Sequence, residues 1–558
     1  MRFSLIRCFR LGALIGLAGA GMSHAADAPA GDAGALRLPA IIGDHMVLQG
    51  GVPDALWGWA KPGTAVKVAW CDASGKALAS VSGTCGANGR WSVSLPAQKD
   101  GAAGELQISA GGESRTITDV LVGETWLCGG QSNMEFQMGR VLDAKTEIAA
   151  ANDPQLRLFL VAHQAAITPL DDVKGQWALC TPGSVAPFSA VGYYFGQRLR
   201  AALNKPVGLI GSYWGGTTAQ VWTSEDSLQK TPGLETYVNG MKSTQAAYPQ
   251  GEADFEAQQA AGQAAVQKWK DDMGHDPAYS AAMTAWRAAA AQANAAHQPA
   301  PPQPTPPIPQ PKMPPGGPGT PAALYNGMIA PLVPYTMKGV IWFQADGNMG
   351  HPDDYGLLIQ TLIKDWRALW SAELPFYYVE MNNMRDYPQK DPVVENNLSL
   401  IREQQAAALE LPATGVVCSI DVGLPVPEPH FPNKKPVGVR LANLALNDLY
   451  GQPGQVKSPA YKSYAVEGNK VRLTFTDAAG LHATTADGTL KGFAIRGAGG
   501  PWVWADGKID KNQVVVWSDQ VPKPADVRYA WAMNPLVSVA NGAGLPLLPF
   551  RTDRQSPK

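Results

Sequence analysis

The chain has 558 residues, of which 45% are hydrophobic and 16% are charged, and its formal net charge is −2 at pH 7. A chain of this length can bury several hydrophobic cores, so we expect two to four domains. Lysine and arginine are spread along the chain without a basic block, which argues against nucleic-acid binding.

The first 25 residues have the pattern of an export signal. Arginines precede an apolar stretch at 11–22, and Ser23 and Ala25 supply small residues before a cut after Ala25. No later stretch reaches the ~18 uninterrupted apolar residues of a membrane span. We therefore expect residues 1–25 to be removed and the protein to be exported, as a periplasmic or secreted protein without membrane association.

Residues 36–120 are predicted to form an N-terminal antiparallel β-sandwich. Short alternating runs such as AVKVAWC and RWSVSLPA are separated by turns that contain Gly and Pro. Cys71 and Cys85 flank a turn-rich stretch, and this spacing suits a hairpin disulfide. We expect buried free thiols at Cys128, Cys180 and Cys418 and no metal site, because no C-x-x-C motif occurs.

Residues 121–455 are predicted to form an α/β domain with a parallel sheet that has helices on both faces. Continuous apolar runs such as DVLVGETWLC, PVGLIGSYW and GVIWFQA alternate here with helical patterns. The β pattern returns in residues 456–558, for example in KVRLTFT and VVVWSD, and this predicts a C-terminal β-rich module.

An insertion at 225–320 interrupts the predicted α/β domain. Within it, residues 251–297 carry apolar residues at helical intervals, which predicts two helices. Residues 299–321 contain twelve of the 46 prolines, so this tract is expected to be polyproline II or disordered. We expect it to act as a stiff spacer between the helices and the domain.

The stretch LCGGQSNMEF places Ser132 directly after a predicted strand. An ordinary loop serine is the alternative, but ligands of parallel sheets bind at the carboxyl ends of the strands. Three further strand ends carry Gly215, Asn348 and His430. Four such features in one chain favour a catalytic site.

These residue types together suit ester hydrolysis by an activated serine. Ser132 needs a base, and His430 is the natural candidate because the pKa of histidine lies near neutrality. Attack on an ester builds negative charge on the carbonyl oxygen. The backbone N–H groups of Ser132 and Gly215 and the Asn348 amide could stabilise that charge by ~3 kcal/mol each. No cofactor is required.

Four blocks resemble those of the SGNH hydrolase superfamily, in the branch of sialate O-acetylesterases and related carbohydrate acetylesterases. They are WLCGGQSNME, GLIGSYWGGTTAQVW, GVIWFQADGN and HFPNKKPVGVRLANLAL, and the flanking β-rich parts are also similar. The resemblance implies an SGNH-hydrolase-like, flavodoxin-like fold and removal of O-acetyl groups from sugars through an acetyl-enzyme intermediate. It also implies substrate contacts from four residues, namely Gln131, Asn133, Gln344 and Asp346.

The chain departs from the pattern of this family at two places. The third block usually reads W-Y-Q-G-E-S-N, whereas here Ala345 and Asp346 replace its Gly and Glu. The superfamily places an Asp three residues before the catalytic His, and Pro427 occupies that position. We expect Asp421 to supply the carboxylate, because it directly follows the apolar run GVVCSI at a strand end. Glu428 is the alternative, and without either carboxylate the site would be a Ser-His dyad.

The substrate is expected to be an acetylated oligosaccharide or polysaccharide. A pocket for sialic acid should offer a cation to the sugar carboxylate, and the first three blocks contain no Arg. This favours a neutral plant polysaccharide such as xyloglucan or xylan over acetylated sialic acid. The alternative from another class is a non-catalytic carbohydrate-binding protein on a hydrolase scaffold. The sequence predicts no oligomeric state.

Overall fold

The computed structural model describes residues 35–295, 301–383, 389–423 and 430–553. The predicted signal peptide and Glu428 lie outside these ranges. Among the described helices, none has both the length and the apolar character needed to cross a membrane. In the same ranges, no three His, Cys, Asp or Glu side chains cluster in a way that could hold a metal ion.

The N-terminal part consists of strands that meet in a tryptophan-rich core, and they pair antiparallel except for β1, which runs parallel to β7. β2 pairs with β5, while β3 pairs with β4 and β6, and β6 pairs with β7. Trp57, Trp70 and Trp91 are almost completely buried in this core. The strands are β1 (Val47–Gln49), β2 (Asp54–Trp59), β3 (Ala65–Cys71), β4 (Ala77–Thr84), β5 (Arg90–Leu95), β6 (Ala103–Ala110) and β7 (Glu113–Gly130).

Strand β7 runs through the predicted domain boundary at residue 120. Its first half pairs with β6, and its second half enters the central sheet. Buried residues from both parts belong to a single hydrophobic cluster. The N-terminal sandwich is therefore built onto the central sheet through a shared strand.

The Cys71–Cys85 disulfide that the spacing would allow is not formed, because the five described cysteines are free thiols. Cys71 pairs with Ala77 beside the hairpin turn, whereas Cys85 bonds to Thr64 at the other end of the same hairpin. Seven residues of extended strand separate the two ends by roughly 23 Å. A disulfide requires Cα atoms within about 7 Å.

The central sheet is α/β and mostly parallel, as predicted. Its order is β13-β12-β11-β7-β10-β8-β9, and only the pairing of β8 with β9 along this path is antiparallel. β7 thus lies between β10 and β11. The added strands are β8 (Asp153–Leu160), β9 (Trp177–Cys180), β10 (Val207–Tyr213), β11 (Gly339–Phe343), β12 (Phe376–Val379) and β13 (Thr414–Val417).

Helices cover both faces of this sheet. Trp342 packs edge-on against Trp366 of α9, and the next residue, Phe343, lies near Phe431 in the loop that leads into α11. Successive side chains of a strand point to opposite faces, so α9 and α11 lie on different sides. The helices are α1 (Ser132–Glu135), α2 (Ala144–Ala149), α3 (Pro182–Val185), α4 (Ala190–Leu203), α5 (Glu225–Lys230), α6 (Glu235–Ala246), α7 (Glu252–Gly274), α8 (Pro277–Ala295), α9 (Tyr355–Trp370), α10 (Asn397–Gln405) and α11 (Lys435–Tyr450).

The insertion contains the two predicted helices, α7 and α8. The described part of the proline-rich tract forms neither helix nor strand. It lies along these helices: the indole N–H of Trp269 donates to the Ile308 carbonyl oxygen and that of Trp286 to the Pro301 carbonyl oxygen, both at 2.8 Å. The tract is therefore anchored to the helices of its own insertion.

The C-terminal part is β-rich and has a hydrophobic core of its own. Val471, Leu473, Phe493, Val514 and Tyr529 are fully buried there. Its strands are β14 (Ala460–Glu467), β15 (Lys470–Thr476), β16 (His482–Ala483), β17 (Phe493–Arg496), β18 (Val503–Trp504), β19 (Asp506–Asp510), β20 (Gln513–Trp517), β21 (Asp526–Tyr529), β22 (Val539–Ala540) and β23 (Phe550–Arg551).

Candidate active site

A tight turn at the end of β7 presents Ser132. Gly130 has φ 138°, and a Cβ atom there would lie 2.3 Å from the Phe343 carbonyl oxygen, so the turn requires glycine. The Gln131 N–H donates to that same oxygen at 3.0 Å, which fixes the turn to β11. Ser132 begins α1 and is only partly buried. Its hydroxyl therefore stands at the carboxyl edge of the central strand.

The glycine block at the end of β10 lies against this serine. The Trp214 N–H donates to the Gly130 carbonyl oxygen at 3.1 Å. A Cβ atom placed on Gly215 would lie 3.2 Å from Ser132 Cβ, tighter than almost all ordinary contacts. The absence of a side chain at Gly215 lets the two turns approach this closely.

The Gly215 N–H is engaged by a side chain that the sequence analysis missed. It donates to Glu135 Oε2 at 2.6 Å, and Glu135 Oε1 lies 3.1 Å from His163 Nε2. The donor expected for the oxyanion is therefore occupied by a carboxylate in this structure. A signal existed for His163, because it follows the apolar run RLFLVA at another strand end.

Asn348 lies in a short 3-10 turn after β11 and is 3% exposed. Its Oδ1 accepts hydrogen bonds from the Ala219 N–H at 2.9 Å and from Gln344 Nε2 at 2.8 Å. Its Nδ2 donates to Gln220 Oε1 at 2.9 Å. The asparagine and glycine blocks are thus joined through this side chain, and Gln220 is a second residue that sequence reasoning missed.

Gln131 and Gln344, both expected to contact substrate, hold other parts of the site in place. Gln131 Oε1 accepts a hydrogen bond from the Gly347 N–H at 3.1 Å. Gln344 bonds to Asn348 and to the Tyr355 hydroxyl. These contacts give both glutamines a positioning role. Direct substrate contact by them stays a prediction.

A buried lysine joins the histidine block to the nucleophile turn. Lys434 is 0% exposed, and its Nζ donates a hydrogen bond to Asn133 Oδ1, next to Ser132. The same ammonium lies 3.5 Å from the ring centroid of Phe431, the residue after His430. The cation is stabilised by this ring. It brings the loop that begins at His430 to the side of Ser132.

The chain is similar to curated sialate O-acetylesterases. No family model matches the chain. It is 27% identical over 382 residues to sialate O-acetylesterase of Rattus norvegicus and 28% identical over 370 residues to that of Mus musculus. Both alignments cover 62% of this chain and 60% of the relative, so the chain spans less than two thirds of these curated relatives.

A solved carbohydrate acetylesterase from Xanthomonas citri is similar over almost the whole chain. It is 30% identical with a TM-score of 0.72, and the match covers 93% of this chain and 100% of that one. The chain belongs to the SGNH-type carbohydrate acetylesterases. The family membership predicted from the four sequence blocks is therefore confirmed.

In this carbohydrate acetylesterase homologue, Asp346 stands where the family usually has Glu, and its carboxyl group has a raised pKa. Burial raises the pKa of Asp346 to about 6, although the Gly347 N–H and the nearby Lys434 ammonium favour its ionised form. Its Oδ1 atom is buried and has no hydrogen-bond partner within the described ranges. The group lies beside Asn348 and changes its charge in a physiological pH range.

The acid partner of the SGNH histidine stays a prediction. Both carboxylate oxygens of Asp421 accept hydrogen bonds from the Arg440 guanidinium of α11, at 2.7 and 2.6 Å. Arg440 also donates to the Cys418 carbonyl oxygen at 2.7 Å. Asp421 is therefore anchored to α11, while Glu428 lies outside the described ranges.

Proposed function

We propose that this protein is a serine esterase that removes O-acetyl groups from carbohydrates through an acetyl-enzyme intermediate. The observation that carries the proposal is the position of Ser132, on a glycine-dependent turn after the central strand β7. Gly215 contacts this turn directly, and the loop of His430 reaches it through Lys434.

The reaction needs two steps at Ser132. The hydroxyl oxygen attacks the acetyl carbonyl while His430 takes the proton. The tetrahedral intermediate formed by this attack then collapses. The bond to the sugar oxygen breaks, the sugar oxygen leaves with that proton, and acetyl-Ser132 remains. A water molecule, activated by His430, attacks the acetyl group and releases acetate. Neither step requires a redox change or an added group.

The oxyanion would be stabilised by the Ser132 N–H and the Asn348 amide. The Gly215 N–H could be a third donor, but only when Glu135 no longer accepts its hydrogen bond. A developing oxyanion and the Glu135 carboxylate cannot share the Gly215 N–H, since both are negative and compete for one hydrogen. Gly215 can therefore contribute only after Glu135 moves. The Glu135 side chain is 29% exposed, which leaves it room to do so.

Charge near Ser132 supports a neutral sugar as substrate. Glu135 places a negative charge beside the nucleophile, and this charge would repel the carboxylate of a sialic acid. Lys434 is buried and bonded to Asn133, so its cation does not face a bound sugar. We favour acetylated plant polysaccharide of the xyloglucan or xylan type. Sialate O-acetylesterase activity is the second candidate, because the rat and mouse relatives carry that name.

Acetate release from a panel of substrates would test the proposal. We expect the highest kcat/KM on acetylated xyloglucan or xylan and low values on acetylated sialosides, with no release by the Ser132→Ala variant. Highest activity on sialosides would establish the second candidate. Binding of polysaccharide without acetate release from any substrate would instead establish a non-catalytic carbohydrate-binding protein.

We also propose that the protein is exported after cleavage of residues 1–25, on the basis of the signal pattern in the sequence. N-terminal sequencing of the protein from its natural cell would then begin at Ala26. A product that retains residues 1–25 would refute export by this route.

A further inference from the structure

A pair of stacked aromatic rings lies next to the nucleophile and has no role in the chemical steps. The rings of His163 and Trp214 have centroids 4.2 Å apart and an interplanar angle of 6°. Trp214 directly precedes Gly215, which contacts Ser132. The His163 side chain is 39% exposed, and Trp214 is also partly exposed.

The ring pair is fixed relative to Ser132. His163 Nε2 lies 3.1 Å from the Tyr213 carbonyl oxygen and 3.1 Å from Glu135 Oε1. Glu135 is in α1, three residues after Ser132, and it also binds the Gly215 N–H. The contacts of Nε2 leave Nδ1 as the other ring nitrogen for a hydrogen bond to a ligand.

The insertion braces the loop that carries His163. Glu252, the first residue of α7, accepts hydrogen bonds from the Ile167 N–H and the Thr168 hydroxyl, both at 3.2 Å. Ile167 also packs with Tyr248 and Phe255 in a small apolar cluster. The helical insertion therefore supports one side of the candidate site, four to five residues from His163.

We propose that the His163–Trp214 ring pair is a subsite for a neutral pyranose ring of the acetylated substrate. This inference rests on the proposed function and adds how the sugar is recognised. The apolar C–H face of a pyranose can stack on a flat aromatic surface, and its hydroxyls can bond to His163 Nδ1. The Trp214 N–H is bonded to the Gly130 carbonyl oxygen, two residues before Ser132, and this backbone link sets the distance from the bound ring to Ser132.

Single His163→Ala and Trp214→Ala variants would test the subsite. The readout is the ratio of kcat/KM for an acetylated xylo-oligosaccharide to kcat/KM for 4-nitrophenyl acetate, which carries no sugar. Loss of one stacking partner should lower this ratio by about tenfold, mainly through a higher KM for the oligosaccharide. His482→Ala, which changes an exposed histidine of the C-terminal part, should leave the ratio unchanged.

A second pair of variants tests the brace. Glu252→Gln should lower the same ratio by roughly two- to threefold, because a neutral amide holds the 167–168 loop less firmly. Asp272→Asn, on an exposed part of the same helix, should not. An unchanged ratio in both ring variants, with an active wild type, would overturn the subsite. A wild type that cleaves 4-nitrophenyl acetate but no acetylated sugar would instead refute the proposed function.

Discussion

Glu135 connects the parts of the candidate site more directly than any residue the sequence predicted. It binds the Gly215 N–H and faces His163, three residues after the nucleophile. In the sequence it is an ordinary acidic residue of a short helix. Its role depends on the approach of β10 to β7, and no local pattern reports that approach.

Asn348 offers a direct test of oxyanion stabilisation. We expect Asn348→Ala to lower kcat by ~100-fold or more with little change in KM, because this donor acts mainly in the transition state. Steady-state kinetics with 4-nitrophenyl acetate would measure both constants. An effect confined to KM would make Asn348 a substrate-binding residue.

Gln220→Ala is the matched control for Asn348. It removes the residue that accepts from Asn348 Nδ2 and leaves the amide itself in place. We expect a smaller loss of kcat than for Asn348→Ala, since the donor is retained but less well oriented. A loss equal to that of Asn348→Ala would show that orientation carries the whole effect.

Asp346 should make stability depend on pH. Its pKa is about 6 in the folded protein against 3.8 for the unperturbed group, so its neutral form is favoured on folding. The contribution of neutral Asp346 to the free energy of unfolding is fully present below about pH 4 and is lost as pH rises through 6. Between pH 4 and pH 8, the free energy of unfolding of Asp346→Asn should therefore rise by on the order of 2–3 kcal/mol relative to that of the wild type.

Chemical denaturation at both pH values would measure this difference. Asp226→Asn is the control, because Asp226 is 71% exposed and pairs with Lys230 in solvent. A pH-independent difference between wild type and Asp346→Asn would contradict the account of Asp346.

The loop that carries His430 has two candidate carboxylates that could orient the imidazole, Asp421 and Glu428. We expect Asp421→Asn to lower kcat by at least about tenfold if Asp421 orients His430, and Glu428→Gln to do so if Glu428 has that role. Asp421→Asn also weakens the bond to Arg440, so its melting temperature must be compared with wild type. Near wild-type kcat in both variants would indicate a Ser-His dyad.

The position of the proline-rich tract should depend on the indole N–H groups of Trp269 in α7 and Trp286 in α8. Trp269→Phe keeps an aromatic ring but removes the donor to the Ile308 carbonyl oxygen, a loss of about 1 kcal/mol. We expect faster tryptic cleavage after the exposed Lys312, with unchanged hydrolysis of 4-nitrophenyl acetate. Trp504→Phe in the C-terminal part is the control. Equal cleavage rates in all three proteins would contradict the anchoring.

Element types were predictable because burial imposes simple patterns. The parallel strands of the central sheet are continuous apolar runs, and α7 and α8 were expected from their periodicity. Pairing was harder to infer. The spacing of Cys71 and Cys85 suited a disulfide, yet strand register placed them at opposite ends of one hairpin. The sequence likewise contained no sign that the proline-rich carbonyl oxygens would meet tryptophan donors.

At the scale of the whole molecule, the fold brings four distant blocks to one edge of a sheet. Ser132, Gly215 and Asn348 follow the adjacent strands β7, β10 and β11, so the strand order itself gathers them. This placement could be predicted from strand ends alone. The bonds that join the blocks, from Glu135, Gln220 and Lys434, could not, because each spans 80 or more positions.

The rate of acetate release by the Ser132→Ala variant is the most direct test that Ser132 is the nucleophile of a carbohydrate esterase. The wild type and the variant should be compared on the best acetylated polysaccharide, after circular dichroism has shown that both are folded. We expect the variant to keep less than about one thousandth of the wild-type kcat, because no acetyl-enzyme can form. A folded variant that keeps more than about a tenth of that rate would contradict the mechanism.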